Sequence, residues 1–179
     1  MWQGSRHSDT ALVVGRNGTG TRVPLFWCLQ SERELDALAS HLGADQPVFG
    51  MRSGYQVMVK SPQNIERLAA VYAAEIMEIQ PLGPLFVGGN CQAAVIAFSI
   101  ARHLQAAGRM VDLLVLHEKM VPLVYAGRIA LTFGRESDRN PYLAGGDPAA
   151  EFARYYSGEM TIGLVAGGHG QFFQEPYVL

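Results

Sequence analysis

Gly88-Gly-Asn-Cys-Gln-Ala-Ala94 lies between an apolar run at 85–88 and a helical pattern that begins near Gln92 and is stopped by Gly108. Glycine ends helices because it takes a left-handed backbone at no steric cost. A sharp strand-to-helix turn needs small residues two before and two after its apex, since strand and helix press together there. Gly89 and Ala93 meet that demand, and Cys91 takes the apex, where the G-x-S-x-G nucleophile elbow has serine. The apex sits at the positive end of a helix, which favours a thiolate. A lone thiol is otherwise most often an inert core residue. The small residues flanking Cys91 weigh against that blander reading.

Strand and helix signals alternate around this turn. Residues 11–14 and 22–29 are apolar, and Asn17-Gly18 between them predicts an N-terminal hairpin. Ser31-Glu-Arg-Glu34 has the form of a capping box opening a helix, with Leu35, Leu38 and Leu42 on one face. A short strand follows at 47–51. Ser61-Pro62 starts a second helix with Ile65, Leu68, Tyr72, Ile76 and Ile79 at helical spacing, and Pro81 ends it. Beyond the elbow come strands at 111–116 and 128–133, a helix capped by Asp147-Pro148, and a strand at 161–165. This order predicts an α/β domain with a mostly parallel sheet. One connection is awkward: only residues 117–127 separate two of the strands, without a helical pattern. A parallel crossover needs about a dozen or more residues, usually with a helix. Either those strands are not ordinary parallel neighbours, or a segment is missing between them.

Composition narrows the class. The 179 residues are 49% hydrophobic and 17% charged, enough apolar material for one domain with a single core and too much for a disordered chain. A formal net charge of −2 lacks the basic excess of a general nucleic-acid binder. No apolar run approaches the roughly 18 residues of a membrane span. Residues 1–10 are polar and lack the apolar stretch of a secretory signal. Two cysteines, Cys28 and Cys91, are too few for a disulfide framework, so a reducing cytoplasm is expected. No Cys/His spacing suggests a metal site. Gly15-Arg-Asn-Gly-Thr-Gly20 lacks the spacing and lysine of a phosphate loop.

His169, in Ala166-Gly-Gly-His-Gly170, follows the last strand, and its glycines suit a loop tip from which an imidazole reaches a nucleophile. The bland alternative is a solvated loop histidine. His41 and His103 lie near helix ends, where an imidazolium complements the dipole, and His7 is in the polar leader. Two acids compete to orient His169. Glu118 follows the strand at 111–116, and Asp138 follows the next one. Either gives the order nucleophile, acid, histidine; otherwise each is an exposed loop carboxylate.

The ordered set Pro24-Leu-Phe-Trp-Cys28, Leu42-Gly43, Pro47-Val-Phe-Gly50, Ile79-Gln-Pro-Leu-Gly-Pro84, the elbow, Ala97-Phe-Ser-Ile-Ala101 and Leu113-Leu-Val-Leu-His-Glu118 resembles the thioesterase domains of polyketide and nonribosomal-peptide synthases. The resemblance implies an α/β-hydrolase fold with helices on both faces of the sheet. It puts Cys91 at the nucleophile position, His169 at the base and Glu118, ahead of Asp138, at the acid. The family usually has His-Pro-x-Gly after the first core strand, where this chain has Leu29-Gln-Ser-Glu32. An oxyanion hole would then use the Gln92 N–H with one from Leu29 or Gln30. The family also inserts a helical lid between the two closely joined strands. A lid is therefore expected near 119–126, and is reduced, excised or unrecorded. Residues 1–179 are expected to form one thioesterase-like domain, short by about a lid, and 175–179 reads as the cut edge of a terminal helix or of a larger synthase.

The resemblance further implies an acyl or peptidyl carrier protein as partner, its phosphopantetheine bearing the substrate, and no cofactor bound to the domain itself. An acyl chain on Cys91 would be a thioester, which keeps the activation that a serine ester loses. Transfer to an amine, a hydroxyl, a second chain or an internal nucleophile is then expected at least as much as hydrolysis. Two other readings stay open. One is a domain that docks carrier proteins without catalysis; the other is a cysteine-elbow hydrolase or polyester-synthase-like enzyme.

Overall fold

A computed structural model describes residues 4–55 and 57–177 of the chain. Its elements, in chain order, are β1 (Val14–Arg16), β2 (Leu25–Leu29), α1 (Glu32–His41), β3 (Val48–Arg52), α2 (Pro62–Ile79), β4 (Leu85–Asn90), α3 (Ala93–Ala106), β5 (Val111–His117), β6 (Ile129–Gly134), α4 (Pro148–Phe152) and β7 (Met160–Val165). A 3-10 turn at Pro141–Ala144 precedes α4. The strands form one sheet in the order β1-β3-β2-β4-β5-β6-β7. Among the described residues every strand pairing is parallel except β1 with β3.

The two-residue period of β2 shows how helices come to cover both faces. Phe26 and Cys28 point into the larger core, shared with Tyr72 and Ile76 of α2 and Ala97 and Ile100 of α3. Trp27 and Leu29 point the other way, into a smaller cluster closed by Leu35 of α1. A strand buried on both faces is apolar along its length, as this one is. Gly50 of β3 lets α1 approach closely: a Cβ there would come within 2.9 Å of the Leu35 side chain. The starts of α2 and α4 match the sequence signals, whereas α1 begins after Ser31 without the expected capping box, since the Ser31 side chain makes no cap and Glu34 bonds the Gln30 N–H instead. Ser61 caps α2 by accepting the Asn64 N–H, and Asp147 caps α4 by accepting the Ala149 N–H.

The N-terminal hairpin is not formed. Asn17 does turn the chain, with φ of 54° and the Gly20 N–H on its carbonyl at 2.9 Å, but β3 lies between β1 and β2. Val14 and Arg16 pair with Gly50 and Val48 of β3 instead of with β2. Residues 17–24 are long enough to step across an intervening strand, about 10 Å at two strand spacings. A turn signal reports local geometry and says nothing of which strand inserts.

The awkward connection is real. β5 and β6 are parallel neighbours, with Leu114 opposite Ile129, and residues 118–128 between them contain no helix. An extended link of that length reaches about 36 Å at ~3.3 Å per residue, enough to return along a strand of about 20 Å. The link is fastened to the core. Val121 and Tyr125 are buried, Tyr156 Oη bonds both the N–H and the C=O of Val121, and the Tyr125 N–H donates to the Tyr155 carbonyl at 2.9 Å.

Candidate active site

Cys91 stands at the junction of β4 and α3 with φ of 52°, a left-handed backbone that is costly for a residue with a side chain. The close approach that forces this turn is visible at Gly89, where a Cβ would meet the Ala93 carbonyl oxygen at 2.9 Å. The Cys91 N–H is anchored on the His117 carbonyl of β5 at 2.8 Å, and the Ala94 N–H donates to the Cys91 carbonyl. Backbone strain thus fixes where the thiol points.

Cys91 Sγ lies 3.8 Å from His169 Nε2. His169 comes from the loop after β7, held by the Gly167 N–H on Glu136 at 2.6 Å and the Gly168 N–H on Gln171 at 2.7 Å. On its other side, His169 Nδ1 is 2.9 Å from Glu118 Oε2. Glu118 follows β5 directly, with φ of 58° and 1% of its surface exposed. Its Oε1 accepts the Gly134 N–H and its Oε2 accepts the Ser137 hydroxyl, both at 2.6 Å. Burial pushes the Glu118 carboxyl up, but these two donors, with His169 and His117, outweigh it and hold the carboxyl below its ordinary range. An ionised Glu118 accepts the Nδ1 proton of His169, leaving the Nε2 lone pair facing the thiol. Asp138 is exposed, and it is Glu118 that meets the imidazole.

The other cysteine has no such setting. Burial, with the charge of Glu34 added, pushes the Cys28 thiol up, so it stays protonated. His117, beside the site, is neutral as well. Burial, together with His169 and against the pull of Glu118, moves it down to about 4, and its Nδ1 is 2.8 Å from Thr132 Oγ1.

The thiol and imidazole open into a cavity of about 450 Å³ lined by Gln30, Glu34, Asn90, Cys91, His169 and Phe173. Phe172 and Phe173 also wall a second cavity of about 600 Å³, toward Trp27 and Leu38 on the α1 face. Of the expected oxyanion donors, Gln92 precedes α3, whose first N–H groups have no intrahelical acceptor. The Gln30 N–H is engaged, donating to Glu34 Oε1 at 3.2 Å. Leu29 ends β2, and its carbonyl takes the Ser53 N–H at 3.0 Å. Sequence reasoning missed Ser137, a turn residue without a motif. It also missed Lys60, whose ammonium donates to Gln92 Oε1 from the loop before α2. Glu34 carries no sequence signal beyond that of a helix-start residue. Among the described residues, no group of three or more His, Cys, Asp or Glu side chains is placed to hold a metal ion. Among the described residues, no helix is long and apolar enough to cross a membrane.

Comparison with known proteins fits this geometry. Residues 32–126 match the family model of the thioesterase domain. The chain belongs to the thioesterase domain family. The relatives it matches include polyketide and nonribosomal peptide synthases. It is 35% identical over 115 residues to chondramide synthase of Chondromyces crocatus, across 63% of this chain and 3% of that protein. It is 31% identical over 113 residues to a non-reducing polyketide synthase of a Nectria species, across 60% of this chain and 6% of that one. This thioesterase domain thus spans a few per cent of the curated relatives it matches. Among solved structures, the NocB thioesterase domain in covalent complex with a fluorophosphonate nocardicin G analogue superimposes with a TM-score of 0.71 at 18% identity, covering 94% of this chain and 95% of that one. A four-domain nonribosomal peptide synthetase superimposes with a TM-score of 0.72 at 15% identity, covering 94% of this chain and 19% of that one. The fold of this thioesterase domain is the α/β-hydrolase fold.

Proposed function

We propose that this thioesterase domain forms an acyl-enzyme on Cys91 and passes the acyl chain on to an acceptor. The carrying observation is the contact series at the elbow: Cys91 Sγ to His169 Nε2 at 3.8 Å, and His169 Nδ1 to Glu118 Oε2 at 2.9 Å. The substrate is a polyketide or peptidyl chain on the phosphopantetheine thiol of a carrier protein, the chemistry of the synthases to which the chain is similar. In the first half-reaction the Cys91 thiol gives its proton to His169, and the sulfur bonds to the thioester carbonyl carbon. The tetrahedral oxyanion rests on the Gln92 N–H, with a second donor from Leu29 or Gln30. Its collapse breaks the bond to phosphopantetheine, whose sulfur leaves with the proton from His169. In the second half, an acceptor O–H or N–H gives its proton to His169 as it attacks the acyl carbon, and the Cys91 sulfur leaves with that proton, which restores the thiol. Glu118 keeps His169 in the required tautomer throughout.

A sulfur nucleophile shapes the outcome. Exchange of one thioester for another is nearly balanced in free energy, so the chain on Cys91 remains activated for a hydroxyl, an amine, an internal nucleophile closing a ring, or a second chain. Water is one acceptor among these. Within the single domain of residues 1–179, we read the link 118–128 as a reduced form of the helical lid, consistent with the burial of Val121 and Tyr125.

One observation favours a second reading, a domain that docks a carrier protein without catalysis: the Gln30 N–H is already taken by Glu34. Incubation with acyl-carrier-protein substrates, with products identified by mass, separates the two. Catalysis predicts acyl transfer that is lost in Cys91→Ala. Docking alone predicts carrier binding with the acyl chain left in place.

A further inference from the structure

Glu34 is a charged residue type in a place that disfavours charge. It is 6% exposed, in the first turn of α1, on the wall of the same cavity as Cys91 and His169. One carboxyl oxygen, Oε1, accepts the Gln30 N–H at 3.2 Å, and the Trp27 indole and Asn90 stand beside the carboxyl. An oxyanion formed at Cys91 needs two things that this arrangement withholds. It needs backbone donors, and Gln30 is one of the two candidates on the β2 side. It also needs a cavity free of negative charge, because like charges within one site oppose each other.

We propose that Glu34 is a proton-operated latch on the Cys91 site: ionised, it claims the Gln30 N–H and lays a negative charge on the cavity wall, and protonated, it releases both. The inference rests on the reading of Cys91 as the acyl-carrying residue. The surroundings put the latch within reach of ordinary pH. Burial pushes the Glu34 carboxyl up to about 7, against the Gln30 N–H, the Trp27 indole, Asn90 and the Ser31 N–H, which pull it down. The charged and titratable groups around it are few. Cys28 lies on β2 with its side chain on the opposite face of the sheet, Cys91 and His169 share its cavity, and Arg33 lies exposed on the rim. The start of α1 supplies a positive dipole end but no full charge.

The device sets the sign of a pH effect. Below about 7 the carboxyl is neutral and the Gln30 N–H is held only weakly, since a hydrogen bond to a neutral acceptor is about half as strong as one to a charged acceptor. Above that pH the latch closes. Glu34→Gln keeps the shape but stays neutral, so it should transfer acyl groups faster than wild type at high pH and equally at low pH.

The test is the rate of Cys91 acylation by an N-acetylcysteamine acyl thioester, followed by intact mass from pH 5.5 to 9 for wild type and Glu34→Gln. The rate ratio of variant to wild type should rise from near one to about tenfold as pH passes 7. The Gln30 amide resonance of the wild-type protein should move with the same midpoint, a readout that needs no variant to fold. A ratio that stays constant with pH, or a Gln30 resonance that does not titrate, overturns the latch while leaving Cys91 as acyl carrier. Failure of both proteins to acylate at any pH, while iodoacetamide still alkylates Cys91, overturns the Cys91 reading and the latch with it.

Discussion

At Glu118 a single carboxylate is held by the Gly134 N–H, the Ser137 hydroxyl and the His169 ring at 2.6, 2.6 and 2.9 Å. Replacing it with glutamine keeps the volume but puts an N–H₂ among donors, so the histidine loses its tautomer. In a serine protease the equivalent loss costs about 10⁴-fold. A thiol is the easier group to ionise, so Glu118→Gln should slow Cys91 acylation by about a hundredfold, read as the initial labelling rate. The two buried glutamates also act oppositely on stability. Glu118 has a lowered folded-state pKa, so its contribution is present above its ordinary value of 4.5 and is lost as pH falls below that. Glu34 is raised from 4.5 to about 7, so the folded state holds its proton more tightly than the unfolded chain. Stability therefore declines as pH rises from 4.5 to about 7, by up to about 3 kcal/mol. Denaturant melts at pH 5 and pH 8 should show that decline in wild type and a smaller one in Glu34→Gln. Glu34 was hidden in the sequence because Ser31-Glu-Arg-Glu34 has a complete helix-start explanation. In the structure the carboxylate bonds Gln30, and Ser31 makes no side-chain cap.

Among the elements, the β4–α3 junction is the least forgiving. A Cβ at Gly89 would meet the Ala93 carbonyl oxygen at 2.9 Å and the Ala94 nitrogen at 3.1 Å, both backbone. Gly89→Ala should cost about 1–3 kcal/mol by denaturant unfolding, because strand and helix must separate to admit the methyl. A more forgiving contact joins α2 to α3, where Glu66 bonds both the Ser99 hydroxyl, at 2.5 Å, and His103 Nε2, at 3.0 Å. Ser99, first among these, with His103, holds the Glu66 carboxyl below its ordinary range against burial. The stability from this clamp is present above pH 4.5 and is lost as pH falls, and Glu66→Gln should flatten that acid limb of the melting curve. These helices were legible in the sequence because caps and periodicity are local. The pairing of β1 was not, because it depends on β3 inserting from more than thirty residues away, between Val14 and its expected partner.

Across the whole molecule, the sheet order carries the site. Parallel strands β4, β5 and β6 all point the same way, so the elbow after β4, the acid after β5 and the loop after β7 gather at one end of the sheet. That is why Cys91, His169 and a choice of Glu118 or Asp138 as the acid could be named from strand ends, with the family resemblance putting Glu118 first, whereas Ser137 and Lys60 could not be named. Both sit in loops whose course follows from packing and not from a motif. The central claim is that Cys91 carries the acyl chain. Its most direct measurement is intact mass followed by peptide mapping after exposure to an acyl thioester, with Cys91→Ala and Cys28→Ala alongside wild type. The account predicts one acyl group on wild type and on Cys28→Ala, mapped to the peptide containing Cys91, and none on Cys91→Ala. Acylation that persists in Cys91→Ala would contradict it.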